Sequence, residues 1–578
     1  MTQPSPSHGR RLSWRFILAS ACLLASCSGL PLQVDRSARA PRLEGYGKVD
    51  LAPTTGSDEA RRLFGQGIAQ AYAFNEQEAV RSFKAALAAD PDCALCAWGV
   101  AWQLGPNINS PERDDLAEAK RYVDLAVRLR AGASPGEREL IDAMALRYAH
   151  ASQRADVAAA AVRSAPVCGQ KGGSRAERAD PLDVAYADRM HALADRAPGD
   201  PDLLSLYAEA ELIATRGDWW DDDTGVPSGR IGDLATRLEA AAARHPQHTG
   251  VNHYLIHAVD TPTQARRALA AAERLGSLAP QSPHLVHMPS HTFGLLGRYA
   301  DAAAVNERAL ALDDAREAEL ARQGFPKVGN WRGHNGAYLW FAALMQGRGE
   351  LALATARANA QRAEKADNEF GEYVRSRPVL TLMRLENWDA VLAEPLPSGE
   401  RGVATVLGQQ ARGVALARTG RLAEAQQALA QLVPAADKLI GAHAGDDYMD
   451  KAARGLAQVA KARLGAEIAL AEGRADAALK LQAEGVEAGK FVDRAEPPML
   501  AAGSRLALGD MQLKAARWAQ AEQSFRTDLA EHPTSGWALR GLLQALQAQG
   551  RPAGELAGIQ AQLAASFAVA DPTLKLSR

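Results

Sequence analysis

Four of the 13 histidines form two His-x-x-x-His pairs. The first pair is His253 and His257, and the second pair, with the same internal spacing, is His287 and His291. Residues four apart lie on one face of an α-helix, so each pair directs two imidazoles to the same side. Imidazole binds Zn, Cu, Fe and Ni, and helices hold metal ions with this spacing. Placed on neighbouring helices, the two pairs predict a transition-metal site for Zn or Cu.

Two features of these pairs limit the chemistry. Neither pair has the form His-Glu-x-x-His, so the general-base glutamate of the zincin metalloproteases is absent from this spacing. Pro289 lies inside the second pair and cannot donate a backbone hydrogen bond to Leu285, so its helix should kink or restart there. Histidines that recognise a peptide, or a purely structural cluster, are the alternatives to a metal site.

The elements that must position these histidines are predicted from internal repeats. Small, aromatic and proline residues stand at the offsets of the tetratricopeptide repeat (TPR) in two distant places, Gly67, Ala79, Phe83, Ala86 and Pro91, and Gly509, Trp518, Ala521, Phe525 and Pro533. Small residues let two antiparallel helices approach closely, and the proline ends the second helix. The chain therefore resembles TPR proteins over most of its length. This resemblance implies an all-α, TPR-like helical solenoid of antiparallel helix pairs with several loop insertions.

Pro246 and Pro280 are separated by the same interval as His253 and His287, so each proline closes one repeat. This register puts the four paired histidines at positions that, by resemblance, line the concave groove of a TPR solenoid. On a helical wheel, His253 and His257 lie away from the apolar residues of their own helix. We therefore expect the histidines to face the groove and not the packing surface.

The same register assigns further residues to the groove. His334 and Glu209 are additional candidate metal ligands, and the candidate groove and ligand-binding residues are Trp98, Trp102, His284 and Asn335. Aromatic side chains on a concave face can anchor a protein or peptide ligand. The alternative for the two tryptophans is that one of them packs under a neighbouring insertion.

The N-terminal segment 1–27 reads as a targeting signal that is not part of the fold. A basic stretch precedes an apolar run over 16–26, which is shorter than the roughly 20 residues that a membrane-spanning helix needs. The run ends in Leu24-Ala-Ser-Cys27, which resembles a bacterial lipobox and implies a lipid on Cys27. A plain secretory signal is the alternative. With Ser28 next, the resemblance implies an outer membrane lipoprotein of the cell envelope that faces the periplasm, with 28–55 as a flexible tether.

Cys93 and Cys96 form a Cys-x-x-Cys pair near the first repeat. An oxidising envelope compartment favours a local disulfide for such a pair. A redox role and a metal-binding role are the alternatives. The histidine that a c-type haem site requires does not follow Cys96.

Short motifs give a narrower resemblance. These motifs are Asp92-Cys93, Trp98-Gly99, Asn107-Ile-Asn109, Asn252-His253, His257-Ala258, His287-Met-Pro-Ser-His291 and His334-Asn335. They resemble a group of bacterial TPR proteins related to the eukaryotic tetratricopeptide repeat protein 38. The resemblance implies the architecture and points to the same residues, but it names no reaction.

The charge composition argues against a nucleic-acid-binding function. The chain has 66 basic and 68 acidic residues and a net charge of −2, which gives no electrostatic case for nucleic-acid binding. The sequence therefore predicts a lipid-anchored binding or scaffold module with a histidine-rich metal site in its groove, and a metal-dependent enzyme that uses the same histidines is the alternative. The predicted units are the signal (1–27), the tether (28–55), an N-terminal solenoid with the histidine-rich groove (56–345) and C-terminal TPR-like repeats (346–578).

Overall fold

The computed structural model describes residues 32–109, 116–149, 180–217, 219–221, 224–500, 503–572 and 574. These residues contain many α-helices, no strand and two isolated bridges, Lys48–His248 and Trp220–Pro227. The all-α fold class predicted from the sequence is confirmed. No helix in this part of the chain combines the length and the apolar character needed to span a bilayer.

The helices follow one another in pairs along the chain. The first part contains α1 (Asp58–Tyr72), α2 (Glu76–Ala89), α3 (Ala94–Leu104), α4 (Leu116–Leu129), α5 (Pro135–Arg147), α6 (Pro181–Arg196), α7 (Pro201–Ala214), α8 (Ile231–Arg244), α9 (Thr249–Ala258), α10 (Leu269–Leu278), α11 (Pro283–His287), α12 (Pro289–Leu295), α13 (Tyr299–Arg322) and α14 (Arg332–Met345). The second part contains α15 (Gly349–Arg362), α16 (Glu369–Arg384), α17 (Trp388–Ala393), α18 (Val403–Arg418), α19 (Leu422–Ala442), α20 (Tyr448–Ala471), α21 (Ala475–Asp493), α22 (Ser504–Lys514), α23 (Trp518–Glu531), α24 (Gly536–Ala548) and α25 (Ala553–Ser566). Short 3₁₀-helices lie at Arg130–Gly132 and Ala265–Ala268.

A buried phenylalanine between two glycines sets the helix spacing of the first repeat. Phe83 of α2 is fully buried between Gly67 of α1 and Gly99 of α3. A Cβ atom at Gly67 would stand 2.5 Å from Phe83 Cε1, and one at Gly99 would stand 2.6 Å from Phe83 Cδ1. Both distances are far shorter than a carbon–carbon contact, so only glycine allows the three helices to approach this closely.

The C-terminal repeat uses the same arrangement. Phe525 of α23 is fully buried between Gly509 of α22 and Gly541 of α24, and a Cβ at either glycine would clash with its ring. The intervals from glycine to phenylalanine and on to the next glycine are the same at both ends of the chain. Both ends are therefore built from one kind of helix-pair repeat, as the repeat analysis predicted.

The last helices return to the first part of the chain. The Trp537 indole donates a hydrogen bond to the Leu344 carbonyl at 2.8 Å, and the Thr534 hydroxyl donates to the Gly297 carbonyl at 2.6 Å. The segment between α21 and α22 also turns inward and brings Glu496 to 3.9 Å from His291. Residues on both sides of the predicted boundary at 345 thus contribute to one histidine-bearing region.

The segment 32–55, predicted to belong to a flexible tether, is packed on the helices. The Leu43 amide donates to the Gln66 side chain at 3.1 Å, and the Gln281 amide donates to the Gly45 carbonyl at 3.0 Å. These contacts join the segment both to α1 and to the turn before α11. In the structure, residues 43 and 45 of the predicted tether are thus hydrogen-bonded to the helical part of the chain. The predicted signal lies outside the described residues.

Candidate metal centre

Six histidines bring their ring nitrogens together in the first part of the chain. The nitrogens converge as two sets of three, and the three candidate ligand atoms of each set lie within 4.8 Å of one another. Triad A consists of His253, His257 and His284, and triad B consists of His287, His291 and His334. The structure thus brings together all four paired histidines and His334. His284, predicted to line the groove, completes triad A.

Helices α9, α11, α12 and α14 carry the two triads. The Ser282 side chain accepts a hydrogen bond from the Leu285 amide and so starts α11. Helix α11 ends at His287 and α12 begins at Pro289, because the proline has no N–H to donate back along the helix. This break was predicted from the sequence. It leaves His287 Nε2 only 3.2 Å from His291 Nε2, so the proline does not separate the pair.

His253 is the central residue of triad A. Its Nε2 atom lies 3.1 Å from His257 Nε2 and 3.2 Å from His284 Nε2. Its Nδ1 atom donates to the Tyr72 carbonyl at 2.7 Å, so the neutral ring has an unprotonated Nε2. Two nitrogens on one tetrahedral Zn²⁺, each at 2.0–2.1 Å, lie roughly 3.3 Å apart. The spacing in triad A is close to that value.

His287 is the central residue of triad B. Its Nε2 atom lies 3.2 Å from His291 Nε2 and 2.9 Å from His334 Nε2. Its Nδ1 atom lies 2.7 Å from Asn306 Oδ1, while Asn306 Nδ2 donates to the Ala302 carbonyl at 2.7 Å. The second bond fixes the orientation of the amide, so Asn306 accepts the Nδ1 proton and His287 Nε2 keeps its lone pair.

Acidic and phenolic groups surround His291. Asp260 Oδ2 lies 2.6 Å from His291 Nδ1, and the Tyr338 hydroxyl lies 3.0 Å from the same nitrogen. Glu496 is the second carboxylate, at 3.9 Å. Asp260 and His291 are 6% and 3% exposed. A carboxylate that accepts from the outer nitrogen of a histidine fixes the ring and strengthens its inner nitrogen as a metal ligand.

The hydrogen bonds of triad B leave two lone pairs facing each other. The Nδ1–H of His287 donates a hydrogen bond to Asn306 Oδ1, and the Nδ1–H of His291 donates one to the Asp260 carboxylate. In neutral rings both Nε2 atoms then lack a proton, although they are only 3.2 Å apart. Two lone pairs at this distance repel each other unless a cation or an added proton lies between them. The nitrogens of triad B are therefore placed to hold a positive ion.

Aromatic rings enclose triad A. The Phe74 ring stacks on His257 and His284 with ring centroids 5.4 and 5.0 Å apart, and Trp331 stacks on His284 at 4.2 Å. Burial lowers the pKa of His253 to about 3 and holds the pKa values of His257 and His284 well below the usual value of 6.5. Neutral imidazole is the form that binds a metal ion, so triad A is ready for binding at neutral pH.

Burial also acts on triad B. It lowers the pKa of His334 to about 3, with a further contribution from the neighbouring His291 and Arg377. Burial and the neighbouring His334 likewise hold the pKa of His287 well below its usual value. The imidazoles of His334 and His287 are therefore neutral at pH 7.

The structure corrects the prediction that the histidines line an open groove. His253, His257, His287 and His291 are 0%, 1%, 0% and 3% exposed. Every residue of α9 is buried, so its histidine face is covered as well as its packing face. A helical wheel identifies the face that carries the histidines, but it does not show what covers that face. In this fold the rings do not form an open surface for a peptide.

Trp98 and Trp102 are not exposed groove residues either. They are 0% and 1% exposed and stack on each other with ring centroids 5.2 Å apart. The Trp102 indole donates a hydrogen bond to the Glu209 carboxylate. Glu209 is not among the converging ligand atoms. Asn335 is fully buried and donates to the Asp313 carboxylate at 3.2 Å, so it joins α14 to α13.

Cys93 and Cys96 are joined by a disulfide at the N-terminus of α3. Cys93 is also the residue that caps this helix, and its sulfur accepts from the Cys96 amide at 3.2 Å. The pair thus forms the local disulfide that was favoured for this motif.

Sequence reasoning did not assign Asp260, Tyr338 and Glu496 to the site. Tyr338 follows His334 by four residues within α14, so helical spacing was a usable signal for it. Asp260 lies beyond the end of α9, and no helical spacing marks it. Glu496 lies far along the chain from the histidine pairs, between α21 and α22. No local pattern marks it, because it reaches the site only through the return of the C-terminal part.

No family model matches this chain. Protein stoned-A of Drosophila melanogaster is 35% identical to it over 107 residues, which are 18% of this chain and 11% of that protein. The chain therefore aligns with about a tenth of the length of this relative.

Several solved helical structures are similar over most of the chain. Yeast Tom70 superposes with a TM-score of 0.31 at 12% identity, covering 86% of this chain and 98% of its own. The human IFIT1 dimer with m7Gppp-AAAA gives 0.30 at 12% identity, covering 89% and 96%. The Cut9–Hcn1 hetero-tetramer of APC/C gives 0.26 at 12% identity, covering 89% and 94%. Scores at this level carry no argument about function, and the helical-repeat fold rests on this chain's own helices.

Proposed function

We propose that this chain is a metal-binding helical-repeat protein whose histidine cluster holds a transition-metal ion. The proposal rests on the Nε2 atoms of His287 and His291, which lie 3.2 Å apart. Each of these atoms carries a lone pair, because each ring donates its Nδ1–H to another residue. A metal ion removes the repulsion between these nitrogens and uses both as ligands. The remaining histidine of triad B, His334, has its Nε2 atom 2.9 Å from His287 Nε2.

Zinc and copper are the metals that this ligand set fits best. Each triad offers three imidazole nitrogens, and imidazole prefers Zn, Cu, Fe and Ni to the hard ions Mg and Ca. Three protein nitrogens leave the fourth position of a tetrahedral ion to water, a carboxylate or another ligand. Asp260 and Glu496 both approach His291 at Nδ1, on the side of the ring away from the Nε2 atom that would bind the metal.

The metal content of the purified chain tests this proposal. We expect at least about one Zn²⁺ or Cu²⁺ per chain after loading and desalting, and a loss of metal in His287→Ala. His245→Ala is the matched control, because His245 lies at the end of α8 outside both triads. Circular dichroism of all proteins establishes that the variants are folded. Metal far below one per chain in the folded wild-type protein would refute the metal site.

We also propose that the repeat scaffold binds a protein or peptide partner. Stacked helix pairs build extended surfaces, and the exposed faces of the repeats are available for such contacts. The partner contacts these outer faces and not the histidine cluster, because five of its six histidines are buried and His334 is only partly exposed. Crosslinking followed by mass spectrometry should map a partner to the repeats, and crosslinks restricted to the segments outside the repeats would argue against this role.

The proposed location is the cell envelope, with a lipid on Cys27 as the anchor. This proposal rests on the lipobox resemblance of Leu24-Ala-Ser-Cys27 in the sequence. Cys27→Ser should release the protein from membranes or block processing of the signal. Unchanged mature mass and unchanged membrane association in this variant would contradict the anchor.

A metal-dependent enzyme is the second candidate function. The observation that favours it is the Tyr338 hydroxyl, 3.0 Å from His291 Nδ1, with Glu496 beside the same ring. These two groups could transfer protons next to a metal-bound water or substrate. Hydrolysis of an activated ester by the zinc-loaded chain tests this role. We expect turnover that is lost in Tyr338→Phe while the metal content is retained, and equal turnover in the metal-free protein would contradict it.

A further inference from the structure

The six histidines are divided between two coordination sets. Within triad A the Nε2 atoms of His257 and His284 lie 3.1 and 3.2 Å from His253 Nε2. Within triad B the corresponding distances to His287 Nε2 are 3.2 and 2.9 Å. In the described residues a third group joins His291 with Asp260 and Glu496, which approach it at Nδ1, and no converging group spans triads A and B. An ion on the Nε2 atoms of one triad therefore leaves the other triad complete.

Each triad has its own outer hydrogen bonds. The Tyr72 carbonyl orients His253 in triad A, and Asn306 orients His287 in triad B. Such bonds select the tautomer that leaves Nε2 free to bind a metal. Both triads therefore have a central histidine whose Nε2 atom is oriented for metal binding, as expected if each triad binds its own ion.

The two triads are adjacent. The ring centroids of His284 and His287 are 5.9 Å apart, and those of His257 and His291 are 6.2 Å apart. These distances are those of neighbouring rings, so no other side chain fits between the members of either pair. Ions held on the inner nitrogens of the two triads are close enough to affect each other.

The triads differ in charge. Two carboxylates, Asp260 and Glu496, and one cation, Arg377, act on triad B, so the charge beside it is net negative. Triad A is packed against the uncharged rings of Phe74 and Trp331, and Trp331 also contacts His334. A divalent ion in a low-dielectric site is stabilised by a nearby carboxylate and is costly without one. Triad B should therefore bind its ion more tightly.

We infer that the cluster is a two-metal centre in which triads A and B each hold one ion, with triad B filling first. The inference rests on the proposed metal-binding function and extends it to a pair of interacting ions. The ions are of the zinc and copper class, because both sets consist of imidazole nitrogens.

Loading with Cu²⁺ and counting copper per chain tests the inference. We expect about two coppers in the wild-type chain and about one in either His284→Ala or His334→Ala, because each variant removes one ligand from one triad. His245→Ala should retain both ions. One copper in the wild-type chain would overturn the pair and leave the proposed function intact. No copper in the folded wild-type chain would overturn both.

Electron paramagnetic resonance of the same samples tests whether the ions are neighbours. Two nearby Cu²⁺ ions couple, so the wild-type signal should be weaker than its copper content requires or should show a half-field transition. His334→Ala leaves one ion and should give the full signal of isolated copper. Two coppers with full, uncoupled intensity in the wild-type chain would overturn the adjacency.

The order of filling is read from a substoichiometric titration. With one equivalent of Cu²⁺, His284→Ala should bind copper as tightly as the wild-type chain, because triad B is intact. His334→Ala should bind it more weakly. The reverse order would show that triad A, without a carboxylate, is the tighter site. Variants that lose their helical circular dichroism are replaced by His284→Gln and His334→Gln, for which the same results are expected.

Discussion

Replacing Asp260 with asparagine should weaken metal binding without unfolding the protein. The Asp260 carboxylate lies 2.6 Å from His291 Nδ1, and both residues are nearly inaccessible to solvent. Asparagine has the same shape and can still accept the Nδ1 proton, but it removes the negative charge. Loss of such an outer partner of a metal ligand typically lowers affinity by about 10- to 100-fold. This range corresponds to about 1.4–2.7 kcal/mol of binding free energy.

Glu496→Gln is the matched control for this prediction. Its carboxylate lies 3.9 Å from His291 Nδ1, beyond hydrogen-bond distance, so its loss should weaken binding less than the loss of the Asp260 charge. The assay is competition for Zn²⁺ against a chromophoric chelator at constant pH and ionic strength. Equal affinities for wild type and Asp260→Asn, with both proteins folded, would refute the role of Asp260. A larger loss in Glu496→Gln would refute the assignment of the dominant carboxylate.

Three further predictions concern the metal-free protein and its scaffold. Burial lowers the pKa of His253 from 6.5 to about 3 and holds the pKa of His257 well below 6.5, so below pH 6.5 the unfolded chain binds more protons than the folded chain. The metal-free protein should therefore lose stability as the pH falls below about 6.5. Thermal melts from pH 7 to 4 check this, and a melting temperature that rises as the pH falls would contradict it. Phe83→Ala should lower the free energy of unfolding by about 3–5 kcal/mol, because the ring is fully buried between two helices, and a urea titration that finds less than about 1 kcal/mol would contradict the packing. Trp537→Ala should loosen the contact of α24 with the Leu344 carbonyl and raise hydrogen exchange there, and unchanged exchange would count against the return of the C-terminal helices.

The sequence carries the information for the repeats because their spacing is local. Gly67 and Phe83 recur as Gly509 and Phe525 with the same interval, and a helix pair needs small and bulky residues at these offsets. The break at Pro289 was equally predictable, since it follows from the missing N–H of proline. Helix pairing and helix breaks of this kind can be predicted from neighbouring residues alone.

The burial of the histidine cluster, and the residues that contact the outer nitrogens of its rings, could not be predicted from local sequence patterns. A repeat register placed His253 and His287 on one face, but Phe74 and Trp331, which cover the triad A rings, come from outside the helices that carry those rings. Glu496 lies more than 200 residues after His291 in the chain, so its approach to this ring depends on long-range packing. The division into two triads was not predicted either. The repeat register assigned His284 to the groove, but its distance to His253 depends on how the helices pack.

X-ray absorption at the zinc K-edge of the Zn²⁺-loaded chain tests the central claim most directly. If the cluster holds the ion, the spectrum should fit about three imidazole nitrogens per zinc at roughly 2.0–2.1 Å, with the multiple-scattering pattern of rigid rings. The His245→Ala control should give the same spectrum, because His245 is outside both triads. A first shell of oxygen atoms alone, without imidazole scattering, would place the metal on surface carboxylates and contradict the assignment of the histidine cluster as a metal centre.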